Sequence, residues 1–107
     1  MVTGLDPAKE ARYRELHQNP WPSIIAILKR HNFSNYSIHL ITISGKPYLF
    51  GYLEYTGDDY DADTAAVAAE PETQRWWKET DPCQIPLPEA AAQNEIWQPA
   101  EEVFYMP

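Results

Sequence analysis

The sequence predicts an α+β protein: a ferredoxin-like split βαβ arrangement, with four strands in an antiparallel sheet and helices on one face. Three observations carry that prediction. The element patterns run strand, helix, strand, strand, helix, strand. The 107 residues suffice for one hydrophobic core and not for two. The composition, with 44% hydrophobic, 22% charged and 13% aromatic residues, is that of a globular chain and too aromatic for a disordered one. Residues 1–107 read as a single domain.

Taken in order, residues 1–5 read as a strand stub. Asp6-Pro7 is a helix start, because an Asp side chain caps free N–H groups and Pro suits the first turn. Ala8 to His17 consists mostly of good helix formers. Pro20 and Pro22 interrupt it, and a second helix runs from Pro22 to His31 with Ile24, Ile25, Ile27 and Leu28 on its apolar face. Asn32 to Asn35 closes that helix.

Tyr36–Ile43 and Tyr48–Tyr55 read as two strands of a hairpin joined through Ser44-Gly45-Lys46-Pro47. In the first of them, Tyr36, Ile38 and Leu40 share one face, and Ser37, His39 and Ile41 the other. Tyr60 to Ala69 and Pro71 to Lys78 are helical. Four prolines make residues 80–99 mostly irregular, and Glu101 to Met106 reads as a short final strand. A sheet with helices on one face leaves the other bare, so a second copy packed sheet to sheet is expected.

The charge balance removes whole classes of partner. Eight basic against sixteen acidic residues give −8. No basic block offers a footprint for nucleic acid or an anionic membrane. Residues 1–48 sum to +3 and residues 49–107 to −11, the latter read as a solvated acidic surface. No apolar run approaches the roughly 18 residues of a membrane span, and the first residues do not form a signal peptide. One cysteine, Cys83, cannot make an internal disulfide, which fits the reducing cytoplasm.

Three groups of residues carry possible chemistry. Tyr13 and His17, four apart, stand on one helical face, and an imidazole titrating near about pH 6.5 exchanges protons at cellular pH. On spacing alone, His17 reads first as a surface or capping histidine. Trp76 and Trp77 point about 100° apart on a helix, so one packs while the other edges a pocket. Indole faces suit the C–H faces of a sugar, although burial in core or interface is the simpler reading. Tyr36 offers a hydroxyl at a strand start, or plain sheet packing. His31 and His39 have no metal spacing, and the Asp58–Asp63 cluster lacks the pattern of a calcium loop. There is no phosphate-binding glycine loop. Cys83 has no basic neighbour in sequence to activate it.

Taken together, four segments resemble the L-rhamnose mutarotase family. They are Tyr13-Arg14-Glu15-Leu16-His17-Gln18-Asn19-Pro20-Trp21-Pro22, His31 to Ile38 with Asn35-Tyr36, Gln74-Arg75-Trp76-Trp77-Lys78, and Glu102-Val103-Phe104-Tyr105-Met106-Pro107. The resemblance implies a dimeric α/β barrel that interconverts the α and β pyranose anomers of L-rhamnose, a deoxy sugar, without cofactor or metal. It places the proton donor on His17 and substrate binding on Tyr13, Tyr36, Trp76 and Trp77. It also shifts the reading of His17 to a catalytic one, acting as acid to the ring oxygen, with a Tyr hydroxyl or a held water relaying the second proton. The alternative is a non-catalytic sugar-binding module of the same fold. The sequence departs from the family in a shorter first strand, a longer hairpin, and Ile41-Thr42 where an acidic residue is expected.

Overall fold

The computed structural model describes residues 1–107. Its elements are β1 (Val2–Leu5), α1 (Glu10–Gln18), α2 (Pro22–Arg30), β2 (Phe33–Ile43), β3 (Lys46–Tyr55), α3 (Tyr60–Ala69), α4 (Pro71–Thr80), β4 (Gln84–Ile85) and α5 (Pro88–Ala91). The four strands form one sheet in the order β2-β3-β1-β4, and every neighbouring pair is antiparallel. β1 and β2 therefore run parallel on either side of β3, the split βαβ arrangement predicted above.

Local chemistry accounts for most boundaries. Asp6 does cap, accepting from the N–H of Ala8 at 3.0 Å, but it caps a 3-10 turn at Pro7–Lys9, and α1 begins at Glu10. Pro22 and Pro71 occupy the first turns of α2 and α4, where a missing N–H costs nothing. Asp59 caps α3 by accepting from Ala62 at 3.0 Å, and Asp61 and Asp63 lie in its first turn, favoured by the helix dipole. Ser44 and Gly45 both take positive φ, 51° and 79°, as a two-residue hairpin turn requires. Gly4 is also needed: a Cβ there would sit 2.6 Å from the carbonyl oxygen of Ile85.

Three sequence expectations need correction. β2 starts at Phe33, not Tyr36. Asn32, with φ 70°, ends α2, and Asn35, with φ 48°, sits in a β-bulge between Ser34 and Ser37. Both positions suit Asn, which tolerates left-handed backbone. Residues 80–99 hold a 3-10 turn (Asp81–Cys83), β4 and α5, and Gln98 bridges to Val2. Glu101 to Met106 form no strand: Val103, Phe104, Tyr105 and Met106 stay 70–89% exposed, with no sheet partner. The fourth strand is the two-residue β4.

The inner face of the sheet and the helices build the core. Leu5, Leu49 and Cys83 pack around Tyr13; Leu16 and Ile24 around Trp76; Ile27 and Val67 around Phe33. The outer face is bare, and Ile41, Ile43, Phe50, Tyr52 and Ile85 on it are exposed. No helix is long and apolar enough to cross a membrane.

Candidate active site

A cavity of about 520 Å³ lies between the inner sheet face and the helices. That falls within the roughly 300–1,000 Å³ of small-molecule sites. Tyr13, His17, Tyr36, Trp76 and Trp77, the five residues singled out in sequence, all line it.

α1 brings the first pair. The Tyr13 and His17 rings stack with centroids 4.1 Å apart and planes 27° apart. His17 Nδ1–H donates to the carbonyl of Tyr13 at 2.8 Å. A carbonyl only accepts, so this bond fixes the tautomer of the neutral ring and leaves Nε2 as its free nitrogen. Burial lowers the His17 pKa below 6.5, an effect the Tyr13 carbonyl partly opposes. Burial also raises Tyr13 far above the usual phenol value, with Tyr36 reinforcing the shift, and raises Tyr36 to about 12. Both phenols therefore stay protonated and serve as hydrogen-bond donors.

α4 brings the second pair, and the indoles divide as the 100° rule demands. Trp76 is buried, edge-on to His17 at 5.4 Å between centroids, while Trp77 is 41% exposed. Tyr36 arrives from β2 because the extra residue at the bulge turns it to the inner face.

Several contributors were missed in sequence. Trp21 meets Trp76 edge-on at 5.2 Å and carries the Arg75 guanidinium 5.3 Å over its ring. Only the Pro-Trp-Pro interruption hinted that this indole is pinned. Gln84 lies 3.5 Å from the Tyr13 hydroxyl, a long contact from a strand too short to read. Trp97 and Asp81 also line the cavity. Asp81 carries no hydrogen bond or ion pair on its carboxyl, and burial raises its pKa. A second cavity of about 260 Å³ adjoins the other side of Tyr13 and His17, with Glu10, Arg14 and Gln18 at its mouth. The remaining histidines lie elsewhere: His31 is 3.8 Å from Asp63 and 3.7 Å from Glu70, and His39 is on the outer face. Folding does bring Lys9 and Arg12 near Cys83, but burial outweighs them and pushes the thiol up, so it stays unreactive.

A half-buried imidazole with one free nitrogen, two protonated phenols and an indole wall define the class the fold offers: a small α+β protein whose cavity has the groups to exchange a proton with a compact ligand bearing hydroxyls and apolar faces. Comparison with known proteins narrows it. The family model described as L-rhamnose mutarotase matches residues 1–106. L-rhamnose mutarotase of Mesorhizobium japonicum is 33% identical over 103 residues, covering 95% of this chain and 90% of that protein. The Escherichia coli protein of the same name is 30% identical over 106 residues, with 99% and 94% covered. The crystal structure of L-rhamnose mutarotase from Formosa agariphila aligns with a TM-score of 0.70 at 27% identity, covering 99% of this chain and 94% of that one. This chain belongs to the L-rhamnose mutarotase family, isomerases acting at the anomeric carbon of a sugar.

Proposed function

We propose that this protein interconverts the α and β pyranose anomers of L-rhamnose, with residues 1–107 as one catalytic domain and His17 as proton donor. The observation that carries the reading is the His17 ring held between Tyr13 and Trp76 at the wall of a cavity of monosaccharide scale.

Opening a pyranose hemiacetal breaks the bond from the anomeric carbon to the ring oxygen. The ring oxygen gains a proton and the anomeric hydroxyl loses one. Protonated His17, with Nδ1–H tied to the backbone, presents Nε2–H to the ring oxygen. A second group takes the anomeric proton. Rotation about the first carbon–carbon bond turns the other aldehyde face inward, and reclosure returns both protons. Trp76 and Trp77 wall in the aldehyde, and the hydroxyls of Tyr13 and Tyr36 bond sugar oxygens. Mutarotation already proceeds in water, so one acid–base pair supplying roughly 10²–10⁴-fold is sufficient.

The working form is a homodimer packed outer face to outer face, the dimeric barrel. The single chain exposes 7,499 Å². A compact 12.3 kDa monomer exposes about 6,100 Å². The excess of roughly 1,400 Å² fits the bare sheet face and the exposed residues 103–106, and two such copies have enough surface for a standard interface. The reducing cytoplasm suits the free Cys83.

Saturation-transfer NMR on L-rhamnose tests the assignment. Wild type accelerates anomer exchange, and His17→Ala folds but exchanges at the buffer rate. Full exchange in that variant removes His17 from the mechanism.

A further inference from the structure

We propose that Asp81 is the second proton-transfer group of this site, its carboxylate taking the anomeric proton while His17 protonates the ring oxygen. The proposal rests on the mutarotase reading and fills the role left open in it.

Asp81 directly follows α4 and keeps helical backbone, φ −56° and ψ −42°. It therefore stands on the same face as Trp77, four residues earlier, much as His17 stands over Tyr13 on α1. Both pairs open onto one cavity, so an imidazole comes from one helix and a carboxyl from another. The carboxyl of Asp81 makes no hydrogen bond or ion pair, although the residue is partly buried on a cavity lined mostly by hydrophobic residues. Such a group costs stability and returns none, which is the mark of a functional residue.

The other titratable groups on the cavity do not compete for the role. Tyr13 on α1 and Tyr36 on β2 hold their protons too tightly to act as bases. Glu95, before Trp97, and Tyr60 on α3 also line the cavity but are exposed to water. Beside Asp81, the Lys9 ammonium donates to the Pro82 carbonyl at 3.1 Å rather than to the carboxylate.

The protons balance with one shared by the pair. Protonated His17 gives its Nε2 proton to the ring oxygen as the carbon–oxygen bond breaks. Ionised Asp81 takes the hydroxyl proton as the aldehyde forms. Neutral His17 and protonated Asp81 remain, and ring closure on the other face reverses both transfers. Because the pair must hold one proton, the rate is bell-shaped in pH. One limb lies below about 6.5 because burial lowers His17, and the other above about 3.8 because burial raises Asp81.

The test is the pH profile of anomer exchange on L-rhamnose for wild type, Asp81→Asn and Asp81→Ala. The expected result for Asp81→Asn is a kcat lower by roughly 10²–10⁴-fold with little change in KM, and loss of the acid limb. Added formate should restore exchange to Asp81→Ala in proportion to its concentration. A folded Asp81→Asn with wild-type kcat and both limbs overturns the proposal, as does Asp81→Ala that is impaired but not rescued. Should the variants not fold, carbon-13 NMR of Asp-labelled wild type decides: one carboxyl titrating above the ordinary range and moving when L-rhamnose is added supports the proposal, and none doing so overturns it. Wild type that accelerates no anomer exchange defeats the mutarotase reading itself, a result distinct from all of these.

Discussion

The two faces of the sheet draw on the same kinds of residue and end differently. On the inner face, Tyr36, Ile38 and Leu49 are joined by Tyr13, His17 and Trp76 from the helices, and the residues enclose cavities. On the outer face, Ile41, Phe50 and Tyr52 alternate with them along the same strands and stay exposed, with no second layer packed on them. Each face also carries a histidine. His17 is locked to a backbone carbonyl and stacked between rings, whereas His39 is exposed and shares a hydrogen bond with Ser37. Apolar alternation shapes both surfaces. Only the inner face holds a polar group in place within apolar walls.

The largest way to break this contrast is to exchange the fates of the two imidazoles. His17→Ala should lose roughly 10²–10⁴-fold in anomer exchange, while His39→Ala keeps the wild-type rate, as read by saturation-transfer NMR. Next come the adjacent indoles. Trp76→Ala should cost about 3–5 kcal/mol in urea unfolding and also weaken sugar binding, because a buried ring leaves a cavity. Trp77→Ala, half exposed, should weaken sugar binding in calorimetry while costing much less stability. On the outer face, Phe50→Glu with Tyr52→Glu should turn a dimer into a monomer in sedimentation velocity and leave the monomer folded.

The smallest effects are in the pH dependence of stability. The folded state holds the His17 proton less tightly than the unfolded chain. Stability is therefore whole above about pH 6.5 and is lost as pH falls through the window between that value and the lowered one. His17→Gln should flatten that loss in urea titrations. Asp81 has the opposite sign: its raised pKa costs stability above the shifted value and nothing once both states are protonated. Asp81→Asn should be more stable than wild type at pH 7 and equal to it at pH 3.

Much of this was legible in the sequence, for local reasons. Prolines marked the starts of α2 and α4, and a four-residue spacing put Tyr13 and His17 in one stack. The failures were of two kinds. β4 has only two residues, and long-range pairing with β1 rather than any local pattern makes it a strand. The closing Val103-Phe104-Tyr105 has strong β propensity but no edge to join within one chain, so the pattern outran the structure. Asp81 went unnoticed because a single carboxylate beside a proline has no sequence signature until a cavity surrounds it.

The bulge at Asn35 has a consequence for any attempt to redesign this protein. β2 begins with Phe33 turned inward, and the surplus residue shifts the alternation so that Tyr36 and Ile38 turn inward as well. Straightening the bulge with every residue kept, so that Asn35 joins the ladder, would turn the rest of β2 over. The tyrosine would leave the cavity, and His39 and Ile41 would enter it. A change of substrate can be sought by swapping side chains around the cavity, but the strand must not be allowed to pair straight through its surplus residue.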